Sequence, residues 1–418
     1  VPVFGLIDGN SFYCSCERAF KPSIQKKPVV VLSNNDGCSI ARTAEAKALG
    51  VKMGEPYHVC KERPELSDVV WFSSNYVLYG DLSRRFYLSL AERLPKVEPY
   101  SIDEMFIDLS GFDDVAGLCA LLRSEVMRVA KIPTCIGWGP TKTLAKLANA
   151  IAKKHTELNG LCDLTNEQTR KNWLDRLDID EVWGLGKQNC AKLHKLGVRT
   201  IADFVALPPE HVQKLLSVVG KRLQLELKGQ SCLSFADMET NKKSIATTKS
   251  FGRVVTQWKE MREVIATYAT RAAEKLRAEG LQAGYLSVFI HTNRHSGDPY
   301  YSNQRGAVIE PTYDTAVLIT ESIRLLKPLW KNGYRYYKAG IILNDLSCLS
   351  NQSDLFSTYD KEKSGTLMQV LDDINARYGR GTLRPSSTAL RPSWGARSAM
   401  RSPRYTTHLD EIVKARSW

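Results

Sequence analysis

The sequence predicts a multidomain protein, α/β in its first part and α+β further on, and three observations predict it. Strand-like and helix-like stretches alternate over residues 1–165, residues 166–232 turn helical, and a second set of strands and helices fills residues 245–345. The 418 residues exceed one ordinary hydrophobic core, which implies roughly two to four domains. A composition of 43% hydrophobic and 25% charged residues is that of a soluble globular chain.

In the first part, "VPVFGLID" and "KPVVVLS" are apolar runs expected as buried strands of one central sheet. "ARTAEAKALG" is expected as a helix closed by Gly50, and "SNYVLYGDLSRRFYLSLAERL" as a longer amphipathic helix. "TCIGWG" reads as a strand and "PTKTLAKLANAIAKK" as a helix entered at Pro140. That helix puts Leu144, Leu147, Ala148 and Ile151 on one side and Lys142, Lys146 and Lys153 on another, the usual pattern of a solvated lysine face.

In the helical block a short helix ends at Gly184-Leu185-Gly186, a second runs through Ala191, Leu193 and Leu196, and Gly197 closes it. Small residues at such a hairpin let backbone N–H groups approach a phosphate, although a plain helical turn has the same pattern. "LSFADMETNKKS", 233–244, is polar and aperiodic, hence a linker. Beyond it "KSFGRVV", "AGYLSVFIHT" and "YRYYKAGIILNDL" read as strands, with helices over 258–279 and 312–331. Lys249 and Arg253 recur along the first of these strands at a spacing that suits a nucleic-acid backbone.

Lys and Arg total 58 against 45 acids, a net charge of +13 with a pI near 9.2, which favours a polyanionic partner. From about Leu346 order is expected to fall, and from Arg377 on the chain carries Arg377, Arg380, Arg384, Arg391, Arg397, Arg401, Arg404, Lys414 and Arg416 against Asp410 and Glu411, with Pro, Ser and Gly between them. This is the composition of a basic interaction arm with little order of its own. The first residues lack a basic leader and their apolar run is cut at Asp8, unlike a signal peptide, and no segment is apolar enough to span a bilayer. The ten cysteines form no CxxC, which argues against a disulfide framework or a zinc site. His291 and His295 lack the glutamate of a zinc-protease helix. The expected compartment is the cell interior.

The stretch "VEPYSIDEMFIDLS", 97–110, is strand-forming, yet Asp103 and Glu104 sit in its middle. Strand alternation would aim the two acids to opposite faces, so joint action requires the backbone to turn or bulge at Ser101–Glu104. Such acids either face water at a hairpin corner or form a divalent-metal site, and the second needs a third acid. The strand "VFGLID" ends on one, Asp8, followed by Gly9, Phe12 and Tyr13. Taken alone, Asp8 reads as a turn or helix-cap residue.

The motifs "DGNSFYCSCE", "KPVVVLSNNDG", "AEAKALGVKMG", "YSIDEMFIDLSG" and "TKTLAKLAN…AKK", followed by the hairpin helices, resemble the Y-family DNA polymerases. "SNNDGCSIARTAEAKALGVKMG", "FSSNYVLYGDLS" and "SPRYTT" resemble the UmuC-like branch, that of the catalytic subunit of bacterial polymerase V. The match runs essentially end to end in order and spacing. It implies a right-hand polymerase with palm (1–24 and 76–165), fingers (25–75), thumb (166–232), linker (233–244), little finger (245–345) and a basic C-terminal tail (346–418).

By that resemblance Asp8, Asp103 and Glu104 are catalytic and hold two Mg²⁺ ions, with the Gly9 carbonyl as a further ligand. Arg42, Lys47 and Lys153 hold the dNTP triphosphate, and Tyr13 lies under its sugar. Ala41 and Ala44 stand where several relatives have hydroxyl-bearing residues, which puts the hydrogen bonds of that helix, and Arg42 most of all, in question. Gly184, Gly186, Lys187, Lys249 and Arg253 are expected on primer-template DNA. "QSDLF", with Gln352, Leu355 and Phe356, resembles the peptide that docks on the sliding clamp. The region "GARSAMRSPRYTT" implies contact with a processed UmuD-like dimer and with RecA.

The implied activity is error-prone translesion synthesis without proofreading in the SOS DNA-damage response, in the nucleoid-associated cytoplasm with no membrane partner. The alternatives are a two-metal nuclease using the same acids and a non-catalytic DNA-binding protein.

Overall fold

The structure is a computed structural model and describes residues 2–235, 242–349, 360–390 and 392–413. It forms two units, Val1–Met238 with Ala399–Trp418, and Glu239–Ser398.

The first unit begins with β1 (Phe4–Gly9), α1 (Phe12–Phe20), β2 (Val29–Leu32), β3 (Ser39–Arg42), α2 (Ala44–Ala48), the single turn α3 (Tyr57–Cys60), β4 (Val70–Ser73) and α4 (Tyr76–Ala91). It continues through β5 (Val97–Pro99), β6 (Glu104–Asp108), α5 (Val115–Ala130), β7 (Thr134–Gly139), α6 (Lys142–Lys154) and β8 (Leu161–Asp163). The helices α7 (Glu167–Leu174), α8 (Lys187–Lys195), α9 (Ile201–Ala206) and α10 (Pro209–Leu227) complete it.

The strands form two sheets, not the single central one expected: β5-β6-β1-β7-β8, and a separate β3-β2-β4. The apolar run of β2 correctly signals burial, since all four of its residues are buried, but burial does not say which sheet a strand joins. The expected helix over "ARTAEAKALG" also divides. Ala41 and Arg42 pair with Val31 and Val30 in β3, and only α2 is helical, with Thr43 as its cap accepting from the Ala46 N–H.

Central β1 is buried at all six positions because both faces of its sheet are covered. Ile7, Met105, Ile107 and Trp138 join one core; Phe4, Leu6 and Phe106 join another with Ala145 of α6. A methyl group on Gly137 would lie 2.0 Å from the Asn149 nitrogen, so glycine is what lets α6 rest directly on β7. Buried Asn149 then donates to the Leu6 carbonyl (3.2 Å) and the Cys135 carbonyl (2.7 Å), pinning α6 across β1 and β7. Helices α7–α10 share a core that includes Ile179, Leu193, Ile201, Phe204 and Leu227.

The second unit contains β9 (Ile245–Val255), α11 (Trp258–Ala278), β10 (Leu281–Thr292), β11 (Ser302–Thr312), α12 (Thr315–Leu326), β12 (Tyr336–Cys348) and α13 (Lys361–Tyr378). Its antiparallel sheet has the order β11-β10-β12-β9. Edge strand β11 is not anticipated by the sequence, because "SNQRGAVIEPT" is mostly exposed and has no apolar alternation. The helix expected over 312–331 is shorter: Thr312 ends β11, and Asp314 caps α12 by accepting from the Ala316 and Val317 N–H groups.

The expectation of a loosely ordered tail is corrected over its described part. Met368, Leu371 and Trp394 are buried, and Trp394 packs edge-on against Phe251 and Tyr268. Arg277 holds Asp372 at 2.6 and 2.8 Å, and Arg380 pairs with Glu274 at 2.6 Å. Low apolar density hid this because a few large anchors, widely spaced, suffice to seat a segment on an existing core. Gln352, Leu355 and Phe356 lie outside the described residues.

Candidate active site

Antiparallel pairing of β1 with β6 sets Asp8 directly opposite Glu104, while the Gly9 N–H donates to the Asp103 carbonyl at 2.8 Å. The three acids are therefore neighbours, although 95 residues separate the first from the second. The expected turn is present: β5 ends at Pro99, β6 starts at Glu104, and the Tyr100 and Ser101 N–H groups both donate to the Glu104 carbonyl. Ser101 organises the corner. Its Oγ donates to Asp103 Oδ1 (2.5 Å) and accepts from the Asp103 and Glu104 N–H groups. At the end of β1, a methyl group on Gly9 would meet the Phe12 ring at 2.9 Å, so glycine lets α1 fold back over the strand end.

Each acid has its own partner. Lys153 Nζ lies 2.5 Å from Asp8 Oδ2, and Lys146 Nζ lies 2.7 Å from Glu104 Oε1 and 4.4 Å from the centre of the Tyr100 ring. Lys142 is buried and pairs with Glu98 at 2.7 Å. The lysine face of α6 thus meets carboxylates, with Lys142 buried, Lys146 half-buried and Lys153 exposed, and is not the simply solvated face expected from periodicity alone. Helical spacing shows which residues share a side, not what that side meets.

Asp8 is 5% exposed, and burial pushes its carboxyl up to about 7 against the pull of Lys153, with the Asp103 and Glu104 charges pushing further upward. Three neighbouring carboxylates, one of them buried, beside two lysines are short of positive charge. An all-oxygen donor set with that deficit fits a hard divalent cation such as Mg²⁺, for which Asp8, Asp103, Glu104 and the Gly9 carbonyl are the candidate ligands.

Tyr13 is half-buried on α1. Its ring stacks on Tyr79 with centroids 4.7 Å apart and planes inclined 24°, and Tyr76 meets it edge-on at 5.9 Å. Burial first, then Tyr76 and the Asp103 charge, raise its hydroxyl, so it lies within electrostatic reach of the acids. Exposed Lys47 sits on α2, and its charge is felt at Cys14, the residue after Tyr13. Arg42 donates Nη1 to the Val51 carbonyl at 2.6 Å, which ties its guanidinium to the segment after α2.

Gly184 (φ +92°) and Gly186 are exposed and open around their Cα atoms, and Gly186 is the N-cap of α8, with exposed Lys187 at its first position. On β9, Lys249 is exposed. Arg253 is tied to Glu260 and to Ser393 Oγ (2.6 Å), within an irregularity of the β9–β12 register. Sequence reasoning missed Lys146, Ser101 and Asn149. For Ser101 the signal was its place two residues before Asp103, and for Lys146 its place one helical turn after Lys142.

Known proteins match in the same order as these elements. The impB/mucB/samB family profile covers residues 7–150, its C-terminal domain residues 242–355, and a domain of unknown function, DUF4113, residues 365–415. Protein UmuC of Salmonella typhimurium is 40% identical over 99% of this chain and 100% of its own length. The chain belongs to the UmuC-like impB/mucB/samB family of Y-family DNA polymerases. This membership makes it a DNA-directed DNA polymerase. Protein MucB of Escherichia coli is 37% identical over 97% of each chain, and DNA polymerase IV 1 of Bacillus subtilis 27% identical over 91% of this chain and 92% of its own. Among solved structures, a Y-family DNA polymerase chimera of Dbh and Dpo4 aligns with a TM-score of 0.68 at 20% identity, covering 83% of this chain and all of the other. The fold is accordingly of the Y-family polymerase type, with palm, fingers, thumb and little-finger domains. Among the described residues no helix is long and apolar enough to cross a membrane.

Proposed function

We propose that this UmuC-like polymerase performs error-prone, template-directed synthesis past damaged bases by two-metal nucleotidyl transfer, as part of the SOS response in the nucleoid-associated cytoplasm. The observation that carries the reading is the register that brings Asp8 opposite Glu104 and beside Asp103, in a chain 40% identical to UmuC from end to end. Asp8, Asp103, Glu104 and the Gly9 carbonyl would hold two Mg²⁺ ions. When bound, these neutralise charge building on the attacking 3′-oxygen and the leaving pyrophosphate.

The protein's own part is positioning. Rigid strands β1 and β6 fix the acids, and Asn149 fixes α6, so Lys153 stands beside Asp8 where a triphosphate would bring its own negative charge. Lys47 and Arg42 are the other candidate triphosphate contacts. The Tyr13 ring excludes a 2′-hydroxyl sterically. Gly184, Gly186 and Lys187 offer backbone N–H groups and one cation to DNA phosphates, and Lys249 a further cation. Insertion ternary complexes are known for Dbh DNA polymerase, which aligns here with a TM-score of 0.56, and DNA with a dNTP is the substrate pair we assign. Gln352, Leu355 and Phe356 dock on the sliding clamp, and a UmuD-like dimer and RecA are the regulatory partners.

Primer extension opposite an abasic template tests the reading. With dNTPs and Mg²⁺ the primer should lengthen, and Asp103→Ala should stop extension while leaving most DNA affinity, which comes from Lys and Arg contacts with phosphates. Shortening of the primer would indicate a nuclease, and binding without either outcome a non-catalytic protein.

A further inference from the structure

Residues Ala399–Thr407 return to the first unit and lie along the sheet β3-β2-β4 and the start of α4. Arg401 forms a parallel bridge with Ser73 at the end of edge strand β4; the Ser73 N–H donates to the Met400 carbonyl (3.1 Å), and the Met400 N–H donates to Ser73 Oγ (2.9 Å). Tyr405 stacks on Phe20 of α1 with centroids 4.7 Å apart and planes 13° from parallel. The segment is thus a strap fastened at both ends.

The residue beneath the middle of the strap is used unusually. Asn75 holds the N-cap position of α4 but makes no side-chain cap bond there. Its buried amide donates instead to the Ser402 carbonyl (3.0 Å), Ser402 Oγ (3.0 Å) and the Pro403 carbonyl (3.2 Å). Ser402 Oγ in turn donates to Glu17 Oε1 at 3.0 Å, and that same oxygen accepts from the Tyr79 hydroxyl at 2.7 Å. Glu17 is 1% exposed, Ser402 6% and Tyr79 0%. Among the described residues Glu17 has no salt bridge; a carboxylate so deeply buried is held by those two hydroxyls, and removing one leaves it half-satisfied in a dry environment. Lys21, the C-cap of α1, acts on Glu17 through its field. The ring at the end of this chain, Tyr79, is the one on which Tyr13 stacks.

We infer that Ser402 and Glu17 are positioning residues for sugar selection: the strap, through Ser402, Glu17 and the Tyr79 hydroxyl, holds the ring that sets the height and tilt of Tyr13. The inference rests on the reading of Tyr13 as the residue under the incoming sugar. It gives a place in the reaction to a segment inside the 365–415 domain of unknown function.

The test uses the full chain on primer-template DNA, comparing dCTP with CTP for incorporation with Mg²⁺ and for binding with Ca²⁺ in its place. Ser402→Ala removes a single oxygen, and we expect it to lower the preference for the deoxynucleotide about five-fold while dCTP turnover changes little. Tyr79→Phe keeps the ring, removes the hydroxyl and should have the same effect, whereas Glu17→Gln keeps an acceptor oxygen and should fall between wild type and Ser402→Ala. In a Tyr13→Ala background, Ser402→Ala should add nothing to the loss of selectivity, a non-additivity that general destabilisation would not produce. If Tyr13→Ala abolishes selectivity but Ser402→Ala and Tyr79→Phe leave it intact, the strap inference is overturned and the Tyr13 reading stands. If Tyr13→Ala itself leaves selectivity unchanged, both fall.

Discussion

Two acidic clusters in this chain invite comparison, one buried at the end of β1 and one exposed beside α8. The trio of exposed Asp178 and Asp180 with half-buried His194 is, among the described residues, the group whose potential ligand atoms all lie within 4.8 Å of one another. By proximity alone it is the better metal site. Its atoms are already engaged with one another and with the backbone, however. Asp178 accepts from the Asp180 N–H at 2.8 Å, and Asp180 Oδ2 lies 3.0 Å from His194 Nε2, a bond that holds the Asp180 carboxyl below its ordinary value. Asp8, Asp103 and Glu104 are held by three separate partners, Lys153, Ser101 and Lys146, yet burial and mutual repulsion push the Asp8 carboxyl up. A cation relieves the second arrangement and has little to relieve in the first. The deficit of positive charge, more than the gap between oxygens, makes the cluster at the end of β1 the candidate metal site.

The largest expected effect separates the clusters directly. Asp8→Asn or Asp103→Asn should lower nucleotide incorporation by at least about 10³-fold. Asp180→Asn should change it by less than about two-fold. Single-nucleotide insertion kinetics at saturating Mg²⁺ measure both, and a comparable loss from Asp180→Asn would erase the distinction. Next in size is the exchange between lysine and metal. In chelator, Lys153→Met should reduce unfolding stability by about 1–2 kcal/mol by leaving Asp8 without its counter-charge. Millimolar Mg²⁺ should narrow that difference, because an ion binding the folded acids replaces the missing cation. A denaturant-unfolding difference indifferent to Mg²⁺ would mean that the acids do not share an ion.

The acidic cluster at the end of β1 was legible in the sequence because it breaks the local pattern. An acid in the middle of "YSIDEMFIDL" and another ending "VFGLID" contradict the apolar pattern around them, and strand periodicity required a turn at Ser101–Glu104, where the structure has one. The lysines of α6 were not legible, because periodicity assigns Lys142, Lys146 and Lys153 to a common side without showing that Glu98, Glu104 and Asp8 lie opposite. Nor was the second sheet: β2 is as apolar as β1, and strand pairing is a long-range property. The strap was the least visible. Ser402, Asn75 and Glu17 are individually ordinary polar residues, and their meaning appears only when chain folding joins positions more than 300 residues apart.

Buried and exposed acids should also differ in the sign of their pH dependence. Burial raises Glu17 to about 6 from 4.5, so its contribution to stability is complete below pH 4.5 and is lost as pH rises through 6. The loss amounts to about 2 kcal/mol at most. Asp180 behaves in the opposite way: its lowered carboxyl contributes stability above 3.8 that is lost as pH falls. Unfolding of wild type and Glu17→Gln between pH 4.5 and 7 should converge toward the acid end, whereas the Asp180→Asn difference should be flat across that range. Parallel curves for Glu17→Gln would show that its carboxyl is not strained by burial.

The contrast between partnered and unpartnered charges extends to the basic residues of β9 and yields the smallest expected effect. Lys249 is exposed on β9, with no ion pair seen among the described residues, whereas Arg253 on the same strand is held by Glu260 and Ser393. Sequence spacing ranks the two equally as phosphate contacts. Lys249→Ala should weaken DNA binding a few-fold and reduce the slope of log affinity against log salt by about 1, the signature of one lost phosphate contact. Arg253→Ala should alter the slope less, because a phosphate would have to displace Glu260 from the guanidinium first. Salt titrations by fluorescence anisotropy resolve a difference of that size, and a larger slope change for Arg253 would show that its ion pair opens on DNA, making it a switchable contact.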